Sequence, residues 1–248
     1  MKKLLWIVLI LFVLVVVVVA SFPAKYAIGW LSPANAPVQL QEVSGSIWNG
    51  QAGKLSYRGQ DMGQLHWTVQ AMPLLRGQVA TTARIDGPLL SGHADIEAGS
   101  KQLHVSNAQF TLPASRLEPV LDIPALRLTG EVKVELDELR LENNFPTALA
   151  GRARWTDAGV TGAEQAVFGT IVASFGALQG GGLGGEVNDE GGPLAVKGSF
   201  KTSLLGFQAE AHLQARDGNP QVTRALAHIG QVQEDGSVLF RVEGGLGR

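Results

Sequence analysis

No cysteine occurs anywhere in the 248 residues. That excludes a disulfide framework, a thiolate zinc site, a cysteine nucleophile and acylation on cysteine. Charge is scarce too: Asp, Glu, Lys and Arg make up 17% of the chain, against about a quarter in an ordinary domain. Apolar residues still reach 45%, so this is not the composition of a disordered chain. Beyond Lys25 the sequence carries 17 Lys or Arg against 22 Asp or Glu, a net charge of −5, with the basic residues spread singly. Without a basic cluster, nucleic acid is not expected as a partner. Also missing are a G-x-S-x-G elbow, a Walker-type glycine loop ending in Lys and an H-E-x-x-H pair. No cofactor is expected.

What is abundant stands first. After Lys2 and Lys3 come nineteen uncharged residues, Leu4 to Phe22, sixteen of them Leu, Ile, Val or Phe. At about 1.5 Å per residue they cover nearly 30 Å, the thickness of a bilayer core. Cleaved signal cores run to about 15 residues, so a retained anchor accounts better for this length, although Val18 and Ala20 have the spacing a peptidase accepts. The two leading lysines place the N-terminus in the cytoplasm. The division is therefore a cytoplasmic tip and transmembrane anchor over residues 1–25, and a β-rich domain over 26–248 on the far side.

Past the anchor the periodicity is two. Leu65, Trp67, Val69 and Ala71 alternate with polar residues, as do Phe207, Ala209, Ala211, Leu213 and Ala215. Leu126, Leu128, Gly130, Val132, Val134 and Leu136 continue the pattern, which slips by one past Asp137 and Glu138 to Leu139 and Leu141, predicting a bulge. Further strands are expected near 52–58, 78–85, 92–98, 102–110, 149–155, 168–176, 194–202 and 237–242, separated by turn residues. The fold class is mainly β: a curved antiparallel meander with one apolar face and two short helices, preceded by the transmembrane helix. One helix opens at Asn219-Pro220 and stops at a left-handed Gly230; the other is a turn within 112–121. Asp235-Gly236 marks a hairpin into the last strand.

Gly63-Gln-Leu-His-Trp67-Thr68 and Gly151-Arg-Ala-Arg-Trp155-Thr156 share residues at equal offsets, which suggests two similar halves with each Trp on the apolar face. The alternative, that Trp is simply a good strand residue, stays open. The isolated histidines 66, 93, 104, 212 and 228 read as solvated side chains, and Glu135, Asp137 and Glu138 as a solvated face. The stretch Gly176 to Gly192 has eight glycines in seventeen positions. It reads as a flexible loop, since Glu186, Asp189 and Glu190 would repel a phosphate.

Several segments together resemble one family: the anchor followed by Phe22-Pro23-Ala24, then Val43-Ser-Gly-Ser-Ile-Trp48-Asn-Gly-Gln-Ala52, Leu65-His-Trp67, Leu128-Thr-Gly-Glu-Val132, Ala150-Gly-Arg-Ala-Arg-Trp155, and Ala225-Leu-Ala-His-Ile-Gly230. In order and content they resemble protein N of the bacterial type II secretion system. The resemblance implies a non-enzymatic inner-membrane protein of a Gram-negative bacterium, with a periplasmic domain that works alongside other secretion components. It also implies distant kinship to the AsmA-like groove proteins, and hence lipid as an alternative occupant of the apolar face. The family has no catalytic or metal residues to carry over. Trp48 is the candidate partner contact, because Asn49 and Gly50 after it read as a turn near the sheet edge. A closed sandwich would favour an interaction module, and an open apolar trough a lipid carrier.

Overall fold

The computed structural model describes residues 22–31, 37–121, 123, 125–143, 145–178, 182–203 and 206–244. Among them fourteen strands form one antiparallel sheet. They are β1 (Val38–Gly45), β2 (Asn49–Tyr57), β3 (Gln60–Gln70), β4 (Val79–Asp86), β5 (Ser91–Ala98), β6 (Gln102–Pro113), β7 (Leu126–Glu142), β8 (Phe145–Gly162), β9 (Ala166–Ala177), β10 (Leu183–Asp189), β11 (Leu194–Ser203), β12 (Gly206–Ala215), β13 (Gln231–Val232) and β14 (Val238–Gly244). Strands β1 to β12 lie side by side in chain order; β14 then sits beside β12, and β13 forms the outer edge.

The period of two becomes physical through register. Paired positions tie Val43, Ala52, Leu65, Ile85, Gly92, Phe110, Val134, Ala153, Ala173, Val187, Gly198, Ala211 and Phe240 into one row across thirteen strands. Every member is apolar or glycine. The adjacent row is Ser44, Gln51, His66, Arg84, His93, Gln109, Glu135, Arg152, Ser174, Glu186, Ser199, Glu210 and Arg241, and every member is polar. Successive residues of a strand point to opposite faces, so one face of the sheet is apolar across its whole width.

Among the described residues four short helices accompany the sheet: α1 (Ala24–Leu31), α2 (Ala71–Leu74), α3 (Glu118–Leu121) and α4 (Pro220–Leu226), with 3₁₀ turns at Ala114–Leu117 and Arg216–Gly218. The core lies where the apolar face meets α4 and the Ala114–Leu121 segment. Leu126, Val160, Phe168, Leu194, Leu213 and Val238 from the sheet close around Val222 and Leu226 of α4. Over β1–β6 the buried apolar side chains are Ala52, Leu55, Ala80, Ala94 and Ala108, and the larger residues Leu65, Trp67, Ile85 and Phe110 are only half-buried.

Several expectations need correction. Among the described residues there are four short helices rather than two: α1 precedes the first strand, and α2 begins at Ala71, the last residue of the alternation read for β3. The glycine-rich stretch is not a loop through its described length: β9 runs to Ala177 and β10 fills 183–189. Its glycines are dictated by neighbours; a Cβ on Gly185 would lie 2.1 Å from the Ser174 carbonyl oxygen and 2.7 Å from the Phe200 ring. Asn49 and Gly50 are not a turn either, since they open β2. The turn is Ser46–Trp48, and Gly50 lies under the Trp67 indole, where a Cβ would come within 2.3 Å of the ring. Gly230 has no left-handed backbone; α4 instead unwinds through right-handed turns in which the N–H groups of Ile229 and Gly230 both reach the Leu226 carbonyl. The Asn219 cap is as expected, its side-chain oxygen accepting from the N–H groups of Gln221 and Val222. So is the bulge: the β7–β8 register shifts between Leu136 and Glu138. The anchor lies outside the described residues apart from 22–25, and among the described residues no helix is long and apolar enough to cross a membrane.

Candidate functional site

The apolar face carries a cavity of about 330 Å³ between the sheet and Leu117, Leu121, Ile123 and Ile229. Trp155, Phe168, Phe200 and Phe240 supply its aromatic wall, and Leu117, Leu121 and Ile123 one side of its mouth. Ser199 and Glu210 also border it, although their side chains belong to the polar row of the opposite face. Such a surface offers the apolar contact area that binding cavities present. Toward β1–β6 the same face continues as a half-buried strip of Phe110, Ile85, Leu65 and Trp67.

The two repeat tryptophans are held alike. The Trp67 Nε1–H donates to the Ile47 carbonyl at 3.2 Å, and the Trp155 Nε1–H to the Thr129 carbonyl at 2.8 Å. Each indole thus lies across the neighbouring strand, its polar atom satisfied and its ring left to the apolar face. Neither is sealed; both are half-buried. Trp155 is a cavity wall as much as a core residue.

On the opposite face the polar row pairs charges across strands. Glu135 takes Arg152 and Lys133, and Glu210 takes Arg241. Hydrogen bonds from Lys133 and Arg152 hold the Glu135 carboxyl well below the usual range, at about 2. His104 lies 3.6 Å from Glu138, and His212 3.8 Å from Glu210. The five histidines stand on four different strands and one helix end. Among the described residues no group of three or more His, Cys, Asp or Glu could hold a metal.

Asp189 was missed by sequence reasoning. At the end of β10 its carboxylate accepts from the Val196 N–H at 2.7 Å, the Gly191 N–H at 3.0 Å and the Arg216 guanidinium at 2.6 Å. It fastens the β10–β11 turn to the 3₁₀ turn leading into α4. A lone Asp in a glycine-rich stretch gives no sign of this, because its partners lie 7 and 27 residues further on.

Trp48, the expected partner contact, sits in the Ser46–Trp48 turn, half-buried, its carbonyl accepting the Val69 N–H at 2.7 Å. It is not brought into the cavity.

The model of the type II secretion system protein N family matches residues 36–241, from just before β1 into β14. The chain belongs to this family. Protein N of Vibrio cholerae serotype O1 is 24% identical over 208 residues, covering 82% of this chain and 77% of its own. The Aeromonas hydrophila protein N is 26% identical over 140 residues, 54% of this chain and 55% of its own. No solved structure matches. Membership of the protein N family carries a role in type II secretion, and the matched region takes in both the half-buried strip over β1–β6 and the apolar cavity.

Proposed function

We propose that this chain works as a single-pass inner-membrane component of the secretion machinery, its N-terminus cytoplasmic and residues 26–248 periplasmic, acting by binding rather than catalysis. The observation that carries this reading is the continuous apolar face. All fourteen strands belong to one sheet, no second sheet covers the face among the described residues, and the cavity lining is apolar apart from Ser199 and Glu210. Other secretion components are the proposed partners, with Trp48 as a contact at the edge-strand turn. The test is export of a folded secretion substrate from cells lacking the gene. The full chain should restore it, and a form with the first 25 residues replaced by a cleavable signal should not. Equal restoration by both would remove the anchor from the function.

A second reading has its own support. An uncovered face leading into an apolar cavity suits an acyl chain, and the exposed strip is what a sandwich-type module would have buried. Mass spectrometry of lipid co-purifying with the detergent-extracted chain tests it. Phospholipid in stoichiometric amount that is lost on Phe200→Glu supports a lipid trough, and its absence in both proteins rejects one.

A further inference from the structure

The turn that resembles the family most is fastened to the residues that follow the apolar run. The Ile47 N–H donates to the Phe22 carbonyl at 3.1 Å, and Pro23 is bridged to Ser46. Phe22 is the last of the nineteen uncharged residues, so no spacer separates that run from the sheet. Because the strands alternate in direction, the turns after β1, β3 and β5 share one edge of the sheet. The Val69 N–H to Trp48 carbonyl bond ties the first of these turns to the end of β3, just before the second.

The turn after β3 has an unusual surface. Met72 is 77% exposed and Leu75 is 83% exposed, yet the backbone beneath them is internally satisfied. The N–H groups of Leu75, Arg76, Gly77 and Gln78 all reach carbonyls of 72–74. Two large apolar side chains on a turn with these four N–H groups already paired suit a hydrocarbon boundary, where an unpaired donor would be costly. Beside them, Arg76 of this turn and Lys101 of the turn after β5 line a small polar cleft with Gln78, Ser100 and Gln102. No carboxylate lines it, in a domain whose net charge is negative. Apolar tips next to a basic cleft match the layering of an anionic bilayer surface.

We propose that this edge is a membrane-docking surface: Met72 and Leu75 enter the headgroup and acyl boundary of the bilayer that holds residues 4–22, and Arg76 with Lys101 takes a lipid phosphate. The proposal rests on the anchor reading above and adds the posture of the domain. The sheet is held edge-on to the membrane rather than swinging on a tether.

The absence of native cysteine makes the test direct. Full-length Leu75→Cys and, as a far-edge reference in the β13–β14 turn, Glu234→Cys carry an environment-sensitive fluorophore in nanodiscs of phosphatidylcholine with phosphatidylglycerol. The expected result is a blue-shifted label at 75 quenched by spin-labelled lipid, an aqueous label at 234, and loss of the quenching in the Arg76→Glu, Lys101→Glu background. Carbonate extraction of the same membranes reads the anchor separately. An aqueous label at 75 in a chain that resists extraction overturns the docking edge alone; an aqueous label in an extracted chain overturns both. A quenched label in an extracted chain keeps the edge and removes the anchor. Quenching that survives both charge reversals removes the phosphate cleft. A label at 75 that is aqueous in nanodiscs but shielded in cells shows a protein partner instead and overturns the proposal.

Discussion

The Asp189 side chain is 9% exposed and accepts from Val196, Gly191 and Arg216. Burial pushes its carboxyl up, but the Val196 N–H, the Arg216 guanidinium and the Gly191 N–H outweigh this and hold it below the ordinary value. A group held low contributes stability above the ordinary carboxylate range and loses it as pH falls through the folded value. Asp189→Asn should therefore lower the urea midpoint at pH 7, by about 2 kcal/mol from weakened charged hydrogen bonds, and the difference from the parent should shrink in acid. Glu135, on the solvent face, is a contrast. Its carboxyl, at about 2 instead of 4.5, belongs to pairs that solvent screens. Glu135→Gln should shift the midpoint slightly at pH 7, with the shift fading between pH 4.5 and pH 2 and shrinking in high salt. For Trp155 the half-buried position sets the scale. Trp155→Phe isolates the Thr129 hydrogen bond and should cost about 1 kcal/mol. Trp155→Ala also opens the cavity wall and should cost more, but less than the 3 to 5 kcal/mol of a sealed core aromatic. Equal midpoints for the two variants would contradict this division.

Elements declare themselves in sequence when their side chains carry the pattern. The slip at Asp137 was legible because Leu136 and Leu139 break the alternation, and the sheet answers with the register shift between Leu136 and Glu138. Strand β10 was hidden for the opposite reason: Gly184 and Gly185 interrupt its pattern, and what forces Gly185 lies in other strands, the Phe200 ring and the Ser174 carbonyl. The same holds for the site. The apolar face could be read from the period of two, but not the cavity, which exists only where Leu117, Leu121 and Ile123 fold over it. Nor could the Trp48 turn be placed, since Asn49 and Gly50 look like turn residues until the Trp67 indole is seen above them. Gly185→Val makes the point testable. It keeps β-propensity and adds volume where none is free, so it should lower the yield of folded protein sharply, whereas Gly236→Asn in the β13–β14 turn, an open left-handed position at φ 78°, should be tolerated. Folded yields from membranes under identical expression measure both.

Across the whole molecule the polar row runs along one face and the apolar row along the other, and the histidines take part only as members of the former or at element ends. Replacing all five histidines by Ala should leave export at the parental level if folded protein is matched; loss of export with a native circular dichroism spectrum would mean that one of them does chemistry. The sequential strand order has a further consequence, for how the chain comes into being. A polypeptide delivered N-terminus first always has the partner of its newest strand already in place, so β2 through β12 can add one at a time over short sequence separations. The lid comes last. Val222 and Leu226 of α4 and Val238 of β14, at 0%, 1% and 2% exposure, seal the core from the C-terminal end. A nascent chain halted before residue 220 would therefore hold a nearly complete ladder with its greasy side bare, and aggregation during synthesis, rather than instability once finished, is the hazard this topology carries.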